Sequence, residues 1–435
     1  MRRPVITVLV STLAFAVGMT DPTAASDAAA SDVATRLVAA QRAAIAQAPG
    51  LLATRSELAA EAAAYRLEAA SGSPYVEWQS EGLSGSGRQA NATDYLRLGT
   101  PFNLPGQIGR ARALVRSAGG WVGDAVITAD LTVAAETSRR WLAVAVAVER
   151  EALSSARLER LDAALNLQEA RYQLGEIAGT EVRQLDLEHV GESSRLASIR
   201  GELAVAEAAL HELCGDDCGE VRHGDLESLV AASRTPEGSS VSDDVLAAGP
   251  LLRRSASEAE LARNAADLIA ATAWGRAEVE AEWERVPAVD GMPSFDAWGL
   301  RVSVPLPVGA AGHRQRELAR ARANQASAEL EASWRQVRRS LAEELAVADG
   351  AAARLRALEP ALGELDFTDH SLAEQFRLGA ISYLAYIDGL SRFDRIIEQA
   401  IDARLALVGA RLELAVLLGD PLIFPLPEIA ACEED

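Results

Sequence analysis

The sequence predicts a mainly α-helical chain that also carries membrane β-strands. Three observations predict it: an internal repeat at long spacing, helical patterns too long for a compact domain, and four short stretches alternating between polar and apolar residues. Two segments display the repeat, RYQLGEI at 171–177 and QFRLGAI at 375–381, with Gly175 and Gly379 standing 204 residues apart. At that offset the chain stays in register with itself from Leu96 to Asp216 without a gap. Leu96 falls on Leu300, Arg97 on Arg301, Pro101 on Pro305, Arg110 on Arg314 and Arg112 on Arg316, and each copy ends on Leu, any residue, Gly, Asp. Solenoids repeat every ~20–50 residues, so this is a two-fold duplication of a domain-sized unit. The boundaries that follow are a leader at 1–26, a first repeat at 27–240, a second at 241–421 and an acidic tail at 422–435.

The leader is read from Arg2 and Arg3 before an apolar run, with small residues from Thr23 to Ser26 as a cleavage site, the layout of a secretory signal peptide. A transmembrane anchor fits less well, because the run from Val5 to Met19 is short and broken by Ser and Thr. Further on, the longest apolar run is WLAVAVAV at 141–148, too short for a spanning helix. If the chain crosses a bilayer, strands must do it. Apolar residues make up 49% of the chain and aromatics only 5%, the apolar share being largely Ala and Leu, which favours helix. A net charge of −21 excludes a nucleic-acid partner, which needs clustered Lys and Arg.

Each copy then has the same order of elements. Helices with Ala/Leu periodicity at 51–70 and 251–272 lead into strand-like stretches at 75–82 and 94–102, and at 276–286 and 297–307. No proline lies between Pro105 and Pro236, so 107–174 reads as one helix, about 100 Å long at 1.5 Å per residue. Its counterpart runs from 311 to 376 with a kink expected at Pro360. Returning helices at 180–213 and 383–418 stop at Gly215 and Gly419, which suit C-cap positions, and the RLG segments become the far tips of two helical hairpins. In the third strand Glu278, Glu280, Glu282 and Glu284 share one face, and Val279, Ala281 and Trp283 the other. Strands of about ten residues with one apolar, aromatic-bearing face suit a membrane barrel. Four cannot close one alone, since the smallest barrels have about eight, so several chains must share it.

With these features in order, the chain resembles the TolC-family outer-membrane efflux proteins, including the outer components of tripartite heavy-metal and drug efflux systems. The duplicated halves, the strand pairs before long helices, the P-x-x-P and G-x-x-x-R region and the RLG turns carry the resemblance. It implies a homotrimer with a twelve-stranded β-barrel in the outer membrane of a Gram-negative bacterium, continued by a periplasmic α-helical barrel. It also implies docking to a periplasmic adaptor protein, and through it to an inner-membrane pump, by Leu174, Gly175, Glu176 and Ile177 and by Leu378, Gly379, Ala380 and Ile381. In such proteins an acidic pair six and nine residues past the tip glycine lines a closed iris. Here Asp388 fills the second place but Ala385 the first, leaving Tyr386 as a steric substitute in the gate.

Cys214 and Cys218 have the spacing and the oxidising compartment for a disulfide. The set His211, Cys214, Cys218 and His223 also has spacings that tetrahedral zinc could use, and Cys432 stands apart. His189, His313 and His370 are scattered, no nucleophile elbow or phosphate loop occurs, and no cofactor is called for. Two classes of function remain: a passive exit duct, for efflux of metal cations or small toxic compounds or for type I protein secretion, and a periplasmic coiled-coil adaptor. The strands discriminate, because an adaptor needs a compact β domain whereas the alternating, aromatic-bearing strands here favour a barrel, whose pore the four glutamates of the third strand would line.

Overall fold

The computed structural model describes residues 22–428 apart from 71, 82–92, 239–240, 274, 287, 289–292 and 305–309. The expected leader lies outside the described residues up to residue 21, as do Cys432 and most of the acidic tail. Pro22 opens α1 (Pro22–Gln47), followed by α2 (Pro49–Ala69), β1 (Tyr75–Glu81), β2 (Thr93–Phe102), α3 (Pro105–Gln173) and α4 (Gly179–Cys214). Short helices α5 (Asp225–Ala232) and α6 (Asp243–Ala248) cross to the second copy. That copy consists of α7 (Pro250–Thr272), β3 (Ala277–Val286), β4 (Phe295–Ser303), α8 (Ala310–Gly363), α9 (Leu365–Arg377) and α10 (Tyr383–Leu418).

Prolines open α2, α3 and α7, where the missing N–H is one that no intrahelical carbonyl would have accepted. The 69 residues of α3 form one unbroken helix, about 100 Å long. Small residues such as Ala111, Ala118, Ala125, Ala134 and Ala145 recur on its buried face and let neighbouring helices approach closely. The second long helix departs from expectation. Pro360 sits inside α8 without ending it, and the break comes at Glu364, so a single kinked helix over 311–376 becomes α8 and α9. The proline removes one helical hydrogen bond and crowds the carbonyl four residues back. Gly363 and Glu364 follow within a turn, and there the helix re-starts.

The strands form one antiparallel sheet in the order β1-β2-β3-β4. Helices α2, α3, α7 and α8 pack side by side in the same order, so each strand continues the helix beneath it. The largest core lies midway along the rods, where α1, α3, α4, α5 and α10 converge on the fully buried Trp141. Gly419, at φ +67°, ends α10 in the left-handed conformation that its C-cap role requires.

Candidate functional site

Strand register settles how the two sheet faces are built. Reading across the four strands, one row is Val76, Leu98, Ala281 and Leu300, and another is Trp78, Leu96, Trp283 and Trp298. All lie on one face. Nothing covers it among the described residues: Trp78 is 69% and Trp298 80% exposed. Beyond the tryptophan row the same face turns polar at Ser80, Asp94, Arg285 and Asp296.

On the opposite face the rows are Tyr75, Gly99, Glu280 and Arg301, then Glu77, Arg97, Glu282 and Gly299. Glu278, Glu280, Glu282 and Glu284 all fall here, where the alternation of the sequence puts them. Tyr75 lays its ring over Gly99, a position where any side chain would collide with it, and donates its hydroxyl to Glu280 at 2.6 Å. Arg97 bridges Glu282 at 3.2 Å and Glu77 at 3.8 Å, while Arg301 bridges Glu280 at 3.2 Å and Glu282 at 3.8 Å. Of the arginines on or beside β3 and β4, Arg276, Arg285 and Arg301, only Arg301 serves this face. Arg276 donates to the Glu68 carbonyl, and Arg285 lies on the tryptophan side by parity. Arg97 of β2 serves it as well, and its pairing with Arg301 in the duplication was the available signal. Carboxylates remain in excess, since Glu81, Glu278 and Glu284 have no arginine across from them in register.

At the other end, both RLG turns adopt one geometry. Gly175 and Gly379 have φ of +75° and +73°. Glu176 N–H donates to Arg171 C=O at 3.0 Å and Ala380 N–H to Gln375 C=O at 2.8 Å, the long-range bond of a Schellman cap. Leu174 and Leu378 project outward, 75% and 69% exposed, with Glu176 and Ala380 also exposed and Ile177 and Ile381 half-buried. The two tips are tied together from one side only. Arg171 donates to the carbonyls of Phe376 and Arg377 at 3.1 and 2.8 Å and lies over the Phe376 ring. The equivalent residue of the second copy, Gln375, makes no such bridge. That single departure from the repeat was the only sequence sign of this link, and sequence reasoning missed it.

Tyr386 is placed differently from its expected gate role. It is 4% exposed and stacks on Phe376 with centroids 4.4 Å apart, inside a cluster with Leu161, Leu185 and Leu390. In this conformation its ring fills the hairpin interior and is unavailable as a steric plug. Asp388 is exposed and pairs with Arg392 at 2.7 Å, one turn along α10. Behind Tyr386, Asp394 accepts from Arg157 at 2.8 Å and Arg160 at 3.2 Å, joining α10 to α3. Burial pushes its carboxyl above the usual Asp range, against the opposing pull of the two guanidinium groups.

Cys214 and Cys218 are joined as a disulfide, buried against α1 at the end of α4. The alternative zinc set is not assembled: both sulfurs are consumed, His211 faces the Gly215 carbonyl and His223 faces Glu149. No cluster of His, Cys, Asp and Glu suited to a metal ion occurs among the described residues. No helix there is long and apolar enough to cross a membrane.

Known structures repeat this arrangement. The chain is similar to CusC, from a study of folding and transmembrane channel formation, at 16% identity over 88% of this chain and 92% of that one, with a TM-score of 0.73. It is similar to the outer membrane protein VceC of Vibrio cholerae at 16% identity, covering 88% and 96%, TM-score 0.66. The open MtrE outer membrane channel of Neisseria gonorrhoeae gives 16%, 89% of each chain and 0.64. No family model and no curated protein sequence matches the chain. At this identity the likeness establishes the fold: long α-hairpins joined to a four-stranded sheet.

Proposed function

We propose that three copies of this chain form a passive exit duct through the outer membrane, the outer component of a tripartite efflux pump. The observation that carries the reading is the sheet: two open edges, one uncovered face of Trp, Leu and Val, and one face of carboxylates. A lone sheet with both edges bare cannot sit in hydrocarbon, where every backbone polar group needs a partner. Closing β4 of one chain onto β1 of the next removes the edges and yields twelve strands from three chains, with the tryptophan face toward lipid and the glutamates toward water. The three tryptophans in one row suit the aromatic girdle at a membrane interface.

Below the sheet, twelve long helices would continue the wall into the periplasm and present the exposed Leu174 and Leu378 tips to the helical hairpins of an adaptor. An adaptor role for the chain itself is disfavoured, because its strands make an open sheet with an uncovered apolar face. No phosphate loop supplies energy, so the duct is driven by the pump it docks with and acts as no enzyme. The carboxylate-lined face supports cationic cargo, such as heavy-metal ions or small cationic toxicants. The neighbours described as outer membrane channels support the location. Reconstitution into planar bilayers tests the reading: discrete conductance steps are expected, together with heat-modifiable migration of the outer-membrane fraction. A protein recovered only from the soluble periplasm and silent in bilayers overturns it.

A further inference from the structure

Where β2 ends and α3 begins, α2 and α3 leave an open groove of about 750 Å³. Phe102 lines it, and by strand parity Phe102 belongs to the apolar face of the sheet, opposite Ala277 in register. The groove therefore opens on the side that carries Trp78 and Trp298, at the far end of the apolar band from the tryptophan row. On α3, Ile108, Arg112, Val115 and Arg116 follow at helical spacing along one stripe, and Arg66 of α2 closes the other wall. No Asp or Glu lines the groove, and among the described residues none of these three arginines pairs with a carboxylate. This is notable in a chain of 63 acidic against 42 basic residues. Three guanidinium groups around an apolar floor repel one another unless an anion lies between them.

Resting on the exit-duct reading, we infer that the groove binds a glycerophospholipid of the periplasmic leaflet. Its acyl chain lies along Phe102, Ile108 and Val115, and its phosphodiester is held by Arg66, Arg112 and Arg116. Guanidinium forks match phosphate oxygens geometrically as well as electrostatically. The depth is right: Phe102 is the last residue of β2, and the three arginines lie below it, on the last turn of α2 and the opening turns of α3, where headgroups replace hydrocarbon. The duplication places Arg316 and Arg320 at the positions equivalent to Arg112 and Arg116, but Arg316 donates to the Gly312 carbonyl at 3.1 Å instead. Each subunit would thus be seated at a fixed height by lipid on one side and the tryptophan row on the other.

The test is native mass spectrometry of the full protein released from nanodiscs of dioleoyl phosphatidylglycerol. Wild-type protein is expected to retain the lipid, and the R66Q/R112Q/R116Q variant to lose roughly fivefold per arginine, about two orders of magnitude in all. R66K/R112K/R116K, which keeps the charge, should retain much of it and shows that loss is not misfolding. Uncharged diacylglycerol should not be retained, and inorganic phosphate should not displace the lipid; full displacement by phosphate alone would assign the site to a free anion and overturn the inference. Equal retention by the glutamine variant overturns it too. Dissociation of that variant into single chains would give the groove to a neighbouring subunit and likewise overturn it. A wild-type protein that never enters the nanodisc instead brings down the exit-duct reading, and this one with it.

Discussion

At the scale of single residues, Glu344 gives a prediction whose sign is fixed. It is half-buried on α8, and burial, reinforced by Glu413 of α10 and Glu343 beside it, raises its carboxyl above the usual range. Glu413 is itself held by Arg139 of α3 at 2.7 Å. The folded chain binds this proton more tightly than the unfolded chain does. Stability therefore falls as pH rises from the ordinary carboxylate range through the raised folded value, and the full cost is present above it. Glu344→Gln should raise the melting temperature near neutral pH and leave it unchanged in acid, where both states are protonated. A thermal unfolding series against pH checks this; an equal shift at every pH would assign the effect to packing.

At the scale of elements, the two tips separate turning from docking. A Cβ at Gly175 meets nothing within 4 Å, so Gly175→Val costs only backbone strain, and Gly379→Val meets little more. Left-handed conformation costs an L residue roughly 1–2 kcal/mol. The double variant should melt a few degrees lower, still assemble, and lose efflux in a susceptibility assay. Failure to assemble would mean that the glycines serve the fold alone.

The sheet yields a second prediction at this scale. Carboxylates outnumber arginines on its polar face, so the open channel should prefer cations in dilute salt and lose that bias as the screening length shrinks. Replacing Glu278, Glu280, Glu282 and Glu284 with Gln should move the reversal potential in a KCl gradient toward zero; anion preference in the wild type would contradict the face assignment.

These elements also show what the sequence made legible. Period-two alternation told which strand residues share a face, because side-chain direction is a local property, and the repeat located both turns for the same reason. The helix break at Glu364, the bridge from Arg171 to Phe376 and the burial of Tyr386 were not legible. The break was displaced a few residues from Pro360 by the local chain at Gly363, whereas the bridge and the burial depend on which helix lies alongside, and partners some 200 residues away in the chain leave no local pattern.

At the scale of the whole molecule, everything turns on β1 and β4. Their outer edges have no strand partner among the described residues, and the apolar face they border is open, as the exit-duct reading requires. The duplication makes four helix–strand units per chain, and the proposed three chains would bring the strand number to twelve, within the range that closes a membrane barrel. The most direct measurement is the chain count of the species inserted in the bilayer: crosslinking of native outer membranes, followed by mass determination of the detergent-extracted product. A trimeric barrel gives a ladder that ends at three chains, with no inserted monomer. A stable monomer in the membrane, or a ladder ending at another number, would contradict it.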